Sequence, residues 1–399
     1  MKKHFTTLIY LLLVCLACTL NSLQAQTTSF IYYGVDQGLP QSQVQCITQD
    51  NDGNLWIGTL SGLTKYNGRE FKVFSKKDSL AEDWVTSECK DSKGNIWFGH
   101  WAGGVSMFNY KTKKIENLNL EEYTRFKTVT SILQDEKDRL WIATEGAGVF
   151  VYDPSNKKMI SITKKDGLSS DNIYDVCVDQ KNNMWIATDI GITIYDGKKD
   201  ISSHESFTNI NTGNGLISNR ITTMALVNDN EMWIGTAEAG VQVLKVNDDF
   251  TVKLAVKAIE NAGQQIDLKN GLGSNFITCI NEDKSHNVWI GTIGGGATKC
   301  TPFPSRDRNE AISKAILYNY NTKQGLNYFN ANAIFQDREG NVWIGTDIGL
   351  NQYRGERFQL YDETDSLVNN LVWTTLCDRD GNVWLGTNEG ISKISFSYS

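Results

Sequence analysis

Short apolar stretches alternate with polar turns along almost the whole chain, and one such unit recurs eight times. In the first copy, Val44 to Gln49 alternates and is rich in β-forming residues, which predicts a strand. A tight Asp50 to Asn54 turn leads into a second strand, Leu55 to Thr59. Gly62 to Tyr66 and Phe71 to Phe74 predict a third and a fourth strand. No convincing amphipathic helix interrupts this pattern, so the predicted class is all-β.

The second strand of each unit carries a tryptophan that reveals the period. The eight copies lie at Trp56, Trp97, Trp141, Trp185, Trp233, Trp289, Trp343 and Trp384. Successive tryptophans are 41, 44, 44, 48, 56, 54 and 41 residues apart, which is the length of a four-stranded propeller blade. Within a unit, Gly38, Val44, Asp50 and Trp56 stand six residues apart, and no copy has an insertion in this frame. Val227 replaces the aspartate in repeat five.

The two ends of the repeat region predict how a ring would close. Phe30-Ile31-Tyr32-Tyr33 precedes the first frame and predicts a strand with no repeat of its own, whereas Ile391 to Tyr398 supplies only a third strand to repeat eight. We therefore expect residues 26–399 to form an eight-bladed β-propeller of four-stranded antiparallel blades, in which the N-terminal strand completes the eighth blade. Such a closure would remove two open sheet edges.

The first 25 residues have the pattern of a secretory signal peptide. Lys2 and Lys3 precede a short apolar run, Leu8 to Leu20, and Ala25 offers a small residue at the cut position. We expect cleavage of residues 1–25 and a periplasmic or secreted chain. An uncleaved anchor is the alternative, which the shortness of the run disfavours. Lipid anchoring at Cys18 is disfavoured by the leucine two positions before it, and no later stretch predicts a membrane span.

Charge and composition narrow the possible partners and chemistry. The chain has a net charge of −7, which becomes −9 without residues 1–25, and no basic run, so neither nucleic acid nor an anionic membrane is expected as a partner. Five of the six cysteines beyond residue 25 fall in predicted first strands, which favours buried thiols over disulfides. His100, His204 and His286 are isolated, and no triad, phosphate loop or metal-spaced cluster occurs. We expect no enzyme, no cofactor and no metal site.

The repeat resembles a known family at these residues. Gly38-Leu39, Val44, Asp50 to Thr59 and Gly62-Leu63 are similar to the two-component regulator propeller repeat, and the similarity covers roughly residues 30–398. The resemblance implies a periplasmic sensor propeller of Bacteroidetes hybrid two-component systems, which binds extracellular, often carbohydrate-derived ligands and signals to a histidine kinase. Because no kinase sequence follows the repeats here, we expect a stand-alone binding unit.

A ligand site is expected on the face that carries the loops between second and third strands and between successive repeats. Aromatic rings can serve as platforms for sugars, and carboxylates can accept hydrogen bonds from hydroxyls. The predicted ligand-binding residues are Trp84, Trp101, Glu145, Asp189, Arg220, Glu238, Tyr328, Asp347 and Trp373. A merely solvated acidic rim is the alternative. The aspartates of the Asp50 type belong to the opposite face and are interpreted as hairpin caps rather than calcium ligands.

The sequence therefore favours an exported ligand-binding or sensor propeller that recognises a carbohydrate or another extracellular ligand. A membrane sensor kinase or a surface protein is the expected protein partner. Two alternatives stay open: a propeller glycosidase or lyase that acts through two loop carboxylates, and a protein-binding scaffold.

Overall fold

The computed structural model describes residues 30–118, 120, 127–246, 264–302, 315–355, 367–369, 371–378 and 382–394. The predicted signal peptide lies outside these residues. Within them, no helix has the length and apolar character needed to cross a membrane.

The strands are numbered in chain order. Repeats one to three contain β2 (Val44–Gln49), β3 (Leu55–Thr59), β4 (Gly62–Tyr66), β5 (Phe71–Phe74), β6 (Val85–Lys90), β7 (Ile96–His100), β8 (Val105–Asn109), β9 (Lys114–Asn117), β10 (Val129–Gln134), β11 (Leu140–Thr144), β12 (Gly148–Asp153) and β13 (Lys158–Ile162), preceded by β1 (Phe30–Tyr33). Repeats four to six contain β14 (Ile173–Val178), β15 (Met184–Thr188), β16 (Gly191–Tyr195), β17 (Phe207–Ile210), β18 (Ile221–Val227), β19 (Glu231–Thr236), β20 (Val241–Lys245), β21 (Gln264–Ile266), β22 (Ile277–Glu282), β23 (Val288–Thr292), β24 (Gly296–Thr301) and β25 (Ile316–Tyr320). Repeats seven and eight contain β26 (Ala331–Gln336), β27 (Val342–Thr346), β28 (Gly349–Tyr353), β29 (Val372–Cys377), β30 (Val383–Thr387) and β31 (Gly390–Ile394).

Single turns of 3₁₀-helix precede most of the first strands. They span Val35–Gln37, Lys76–Asp78, Lys164–Asp166, Thr212–Asn214, Leu268–Asn270 and Thr322–Gln324, and a further turn, His204–Ser206, precedes the fourth strand β17. The predicted all-β class is thus confirmed for the described residues, as antiparallel sheets in which successive strands of a repeat are neighbours.

The aspartate of the repeat is a hairpin cap, as predicted. Asp50 Oδ1 accepts hydrogen bonds from the backbone N–H groups of Asp52 and Asn54 at 3.0 and 2.9 Å. The other carboxylate oxygen accepts the indole N–H of Trp56 at 3.0 Å, an interaction that the sequence pattern alone did not reveal. One buried side chain therefore holds both the turn and the tryptophan of the next strand.

The same Asp–Trp bond recurs in every repeat that keeps the aspartate. The pairs are Asp91–Trp97, Asp135–Trp141, Asp179–Trp185, Asp283–Trp289, Asp337–Trp343 and Asp378–Trp384, at 2.7 to 3.1 Å. In repeat five, where Val227 replaces the aspartate, Glu231 takes over the role and accepts the indole N–H of Trp233 at 3.2 Å. Glu231 is fully buried, so the acceptor is kept although its position in the chain has changed.

The tryptophans of repeats one to six each pack against the repeat that follows. The Trp56 ring lies 4.5 Å from Phe108 and 5.9 Å from Phe98, both of repeat two. The glycine two residues later lets the two sheets approach closely, because a Cβ at Gly58 would lie 2.8 Å from Val85 of repeat two. Most of the apolar core therefore lies between neighbouring sheets rather than within one sheet.

The N-terminal strand completes repeat seven, so its predicted place in repeat eight is wrong. β1 pairs antiparallel with β28, from Phe30 opposite Tyr353 to Tyr33 opposite Leu350. The resulting sheet has four strands, whereas the sheet of repeat eight has three in the described part of the chain. Both β28 and β31 are third strands with the same flanking pattern, and β28 is the one whose sheet lies beside repeat one.

Repeat seven also packs against repeat one in the manner of consecutive repeats. Trp343 shares a core cluster with Val44 and Leu55, and the Asn332 side chain donates to the carbonyl of Val44 at 3.2 Å. A Cβ at Gly345 would lie 2.5 Å from Val44. The first strands β2, β6, β10, β14, β18, β22 and β26 each contact the next one in this order, and β26 contacts β2.

Repeat eight keeps the fold of a repeat but not its burial. Val372, Trp384 and Ile391 are 41%, 37% and 69% exposed. Their equivalents in repeat one, Val44, Trp56 and Leu63, are at most 1% exposed. The residues that face neighbouring sheets elsewhere are thus open to solvent here.

No disulfide joins the six described cysteines. Cys46, Cys177 and Cys300 are buried, and burial is the main cause that raises the pKa of the Cys46 thiol well above its usual range. Cys377, in repeat eight, is exposed, so the expectation of a buried thiol is wrong there. The cause is the same as for Trp384: no neighbouring sheet covers this strand as its equivalents are covered.

The Asp–Trp bond predicts a difference between the repeats. Asp179→Ala leaves the buried indole N–H of Trp185 without its acceptor and uncaps the hairpin, so we expect the free energy of unfolding to fall by about 3 kcal/mol. Urea denaturation followed by tryptophan fluorescence measures this. The matched control is Asp378→Ala, which breaks the same bond in the exposed repeat eight and should leave the main transition unchanged. Equal losses in the two variants would contradict this account.

The pairing of β1 predicts the effect of shortening the chain at either end. A chain without residues 356–399 keeps all seven four-stranded sheets, so its melting temperature in circular dichroism should equal that of the whole chain. A chain without residues 26–33 exposes the edge of β28 and the core around Tyr353, and its melting temperature should fall. The reverse order would mean that repeat eight, and not β1, completes the assembly.

Candidate functional site

One face of the molecule is built from two positions per repeat that lie side by side. The residue before the first strand and the residue after the second strand share a backbone hydrogen bond, for example from Trp101 N–H to the Trp84 carbonyl at 3.0 Å. The same bond joins Glu145 to Thr128 and Ala237 to Arg220, also at 3.0 Å. The regular strands therefore hold pairs of variable side chains at fixed places around this loop face.

Repeat two places an aromatic pair on the loop face. The rings of Trp84 and Trp101 are stacked, with centroids 5.0 Å apart and planes 15° apart. Trp101 is 48% exposed, whereas the indole nitrogen of Trp84 is buried and has no hydrogen-bond partner among the described residues. The outer ring of the stack is thus a flat apolar surface open to a ligand.

The residues below the Trp84–Trp101 stack contain a buried histidine. His100 stands where most repeats have threonine, and its Nε2 lies 2.8 Å from the Ser106 hydroxyl. Burial lowers the pKa of His100 to about 4, against the opposing effect of Glu82. The imidazole is therefore neutral at physiological pH.

Repeats three to five place the predicted charged residues around one tyrosine. Burial raises the pKa of Tyr174, the charges of Asp189 and Glu145 add to this, and Arg220 acts in the opposite sense. Glu145 forms a β-bridge with Asn172, and Asp189 accepts a hydrogen bond from the Asn172 side chain, so both acidic residues are held beside the strand that carries Tyr174. The three charged residues were predicted from the sequence, whereas Tyr174, which lies inside a first strand rather than in a loop, was not.

Hydrogen bonds fix the acidic side chains of this sector. Asp189 accepts the Asn172 side-chain N–H at 3.0 Å. Although burial acts to raise it, the bonds from Asn172 and Ser170 hold the pKa of Asp189 below its usual value. Glu238 accepts the hydroxyl of Ser218 at 2.9 Å and forms an exposed ion pair with Arg220 at 3.6 Å. The only predicted cation of the site is therefore already paired.

Asp347 and the Tyr328–Phe329 pair occupy the side of the face formed by repeats six, seven and one. Asp347 accepts side-chain N–H groups from Asn330, Asn332 and Gln43, at 2.7, 2.8 and 3.1 Å. This carboxylate thus connects repeat seven to repeat one. Tyr328 and Phe329 are stacked with centroids 4.0 Å apart, and Phe329 is exposed.

A polar cavity of about 370 Å³ lies at the centre, between the first strands. Its lining residues are Gln45, Thr86, Thr130, Tyr174, Asp175, Thr222, Thr223, Phe276, Ile277, Thr278 and Asn332. Each of repeats one to seven contributes at least one of them. None of the nine predicted site residues is among them, and Trp373, the predicted site residue of repeat eight, is 75% exposed.

Two first strands carry a carboxyl group with a raised pKa: Asp175, which lines this cavity, and Glu88 of β6. Asp175 accepts hydrogen bonds from the Thr223 hydroxyl at 3.0 Å and the Met224 N–H at 2.8 Å, and burial nevertheless raises its pKa. Glu88 occupies the position held by Ile47 in repeat one, and burial raises its pKa to about 7 despite a hydrogen bond with Thr48. Among the described residues, no cluster of three or more His, Cys, Asp and Glu side chains is arranged to hold a metal ion.

Antiparallel sheets set around a polar central cavity, with variable loops on one face, define a propeller-type domain. The chain belongs to the two component regulator propeller family, whose model matches residues 38–61, 125–146, 167–189, 215–238, 271–294, 325–347 and 366–389. These segments are repeats one and three to eight, so the resemblance expected from the sequence is confirmed.

Individual relatives agree with this family. The chain is 44% identical over 55 residues to a histidine kinase, P4, of Formosa agariphila, which is 13% of this chain and 4% of that protein. It is similar, at a TM-score of 0.64 and 20% identity, to the extracellular domain assigned to a hybrid two component system of B. thetaiotaomicron, over 93% of this chain and 55% of that one. A virginiamycin B lyase of Staphylococcus aureus shares the fold at a TM-score of 0.57 and 12% identity, over 81% and 98% of the two chains.

The chain spans a small part of the curated relative and about half of the sensor domain that it matches. At these identities the solved structures show the fold alone. Together with the family, they define a sensor-type propeller related to two-component signalling.

His100 and Glu88 predict opposite responses to acid. The ordinary pKa of histidine is 6.5, whereas the pKa of His100 in the folded chain is about 4. Between these values the unfolded chain binds a proton that the folded chain does not, so stability decreases as the pH is lowered. The pKa of Glu88 is about 7 in the folded chain, against an ordinary value of 4.5. Between these values the folded chain binds the extra proton, so this group increases stability as the pH is lowered.

We expect His100→Thr, which restores the residue found at Thr59, to remove only the first effect. Between pH 7 and pH 5 the variant should gain stability relative to the parent chain, by at most about 1.4 kcal/mol per pH unit. Urea denaturation at each pH measures this. The control is Glu88→Ile, which should steepen the loss of stability on acidification, and parallel pH profiles of His100→Thr and the parent chain would refute the assignment.

Proposed function

We propose that the chain is an exported, non-catalytic ligand-binding propeller whose ring is closed by seven blades, with repeat eight outside that ring. The contacts from β26 back to β2 and the cavity shared by repeats one to seven support seven blades. The exposed apolar faces of repeat eight support its place outside.

The ligand site is the loop face above the central cavity. The stacked Trp84–Trp101 pair, open to solvent on its outer side, is the observation that carries this proposal. Aromatic faces suit the C–H surface of a sugar ring, and the hydroxyl and amide groups that line the cavity suit its hydroxyls. Glu145, Asp189, Glu238, Asp347 and Arg220 form the polar rim, and Tyr328 adds a second aromatic pair with Phe329.

The extracellular sensor domain that this fold resembles supports a role in which ligand binding is passed to a membrane sensor kinase. The similarity to a histidine kinase over 55 residues supports the same connection. Export to the periplasm or cell surface, after removal of residues 1–25, follows from this role and from the pattern of the N-terminal segment.

Binding to a glycan panel tests the proposal. We expect isothermal titration with xylohexaose, cellohexaose, mannohexaose, laminarihexaose and oligogalacturonate to find at least one ligand. Trp101→Ala should weaken its binding about tenfold, which is about 1.4 kcal/mol. The control is Tyr318→Ala, which removes a comparably exposed ring from the outer strand β25 and should leave affinity unchanged.

The same incubations separate the alternatives. Recovery of the glycans uncleaved is the expected result, and shortened or unsaturated products would overturn the non-catalytic assignment. A chain that binds no member of the panel would overturn the carbohydrate assignment.

A further inference from the structure

The first strands are joined around the cavity by a repeated side-chain bond. The second residue of the strand donates to the carbonyl of the first residue in the next repeat: Thr86 to Val129 at 2.6 Å, and Thr130 to Ile173 at 2.9 Å. Thr278 donates in the same way to Ala331, and Asn332 to Val44. Repeats two, three, six and seven therefore share one arrangement, which uses the donor capacity of the hydroxyl or amide for structure.

Among the described residues, this bond is absent from repeats one, four and five; Gln45 holds the position in repeat one. Tyr174 occupies the position in repeat four and is 36% exposed. In repeat five the residue is again threonine, but the Thr222 hydroxyl oxygen is buried without a hydrogen-bond partner among the described residues. A buried hydroxyl without a partner is unfavourable, so its presence beside the cavity calls for a reason.

Aromatic residues flank the interruption on both sides. Phe276, directly before the first strand of repeat six, is 38% exposed and lines the cavity together with Tyr174 and Thr222. The three residues come from consecutive repeats, so they lie next to one another around the cavity. They combine two partly exposed rings with one hydroxyl that has no structural partner.

The charges around this sector favour a ligand that donates hydrogen bonds and has no negative charge. Glu145 and Asp189 both contact Asn172, two residues before Tyr174, and the guanidinium of Arg220 is paired with Glu238. The remaining polar lining near Tyr174 includes the carboxylate of Asp175. An anionic ligand would meet like charges here, whereas sugar hydroxyls would meet acceptors.

We propose that Tyr174, Thr222 and Phe276 form a subsite for one ring of an uncharged polyhydroxylated ligand at the mouth of the cavity. The two aromatic rings cover the C–H surface of the ligand. Rotation of Thr222 about χ1 brings its hydroxyl into the cavity, where it pairs with a ligand hydroxyl. The subsite rests on the proposed function and makes it more specific: the chain selects neutral over anionic oligosaccharides.

The first test needs no ligand. Thr222→Val removes a hydroxyl that lacks a partner and keeps the shape of the side chain, so the urea midpoint should stay the same or rise. The matched control, Thr130→Val, removes a hydroxyl that bonds the next repeat, and its midpoint should fall. A fall of equal size in both variants would show that the Thr222 hydroxyl has a structural role and would overturn the proposal.

The second test compares neutral and anionic probes. Isothermal titration should find binding among xylohexaose, cellohexaose, mannohexaose and laminarihexaose, with little dependence on salt, and none for oligogalacturonate or a heparin hexasaccharide. Thr222→Val and Phe276→Ala should each weaken the neutral ligand about tenfold, and Tyr318→Ala, on the outer strand β25, should not. Preference for an anionic probe would overturn the proposal.

The outcomes also separate this subsite from the broader function. A neutral glycan whose affinity depends on Trp101 but not on Thr222 or Phe276 would leave the binding function intact and refute the subsite. The absence of binding to every probe would refute both.

Discussion

A single buried hydrogen bond, from a tryptophan indole to a hairpin carboxylate, sets the geometry on which the rest of this structure depends. Through it, each turn fixes the ring that packs against the next sheet, so a local cap also determines how neighbouring sheets fit together. Repeat five shows how strongly the acceptor is required. There Val227 removes the aspartate, and Glu231, two residues before Trp233, supplies the carboxylate from the strand itself.

Within each repeat, constant strands form the scaffold and variable flanking residues form the loop face. The strands place the residue before the first strand and the residue after the second at the same point of every sheet, so changes there alter the loop face without altering the scaffold. Repeat eight has the constant part, but within the described residues its strands are not covered by a neighbouring sheet as the others are. Its frame follows that of repeat one, since Phe358 stands as far before Val372 as Phe30 stands before Val44.

Much of the fold follows from the sequence because the signals are local. The turn from Asp50 to Asn54 and the alternation from Val44 to Gln49 depend on neighbouring residues, and both appear where the pattern predicted them. The partner of β1 could not be obtained in this way, because β28 and β31 look alike in sequence. Their difference lies in what packs beside them, which is a property of the assembled ring.

The candidate site was predictable only in part, for a related reason. Trp84, Trp101, Glu145 and Asp189 were recognisable as loop residues on one face. The positions of Tyr174, Thr222 and Phe276 around the cavity depend on the bonding of their equivalents in other repeats. A signal did exist: the second residue of the first strand is a hydroxyl or amide residue in most repeats, and Tyr174 departs from that rule.

The pairing of β1 with β28 has a consequence for how the chain acquires its shape. Phe30 pairs with Tyr353. The first of the described strands, β1, can therefore form its pairing only after β28, far along the chain, has been synthesised. Contacts so distant along a chain form slowly, and until they do, β1 and the outer edge of β28 both stay unpaired. The time before this pairing is when the protein is most vulnerable to proteolysis and to pairing with the wrong strand.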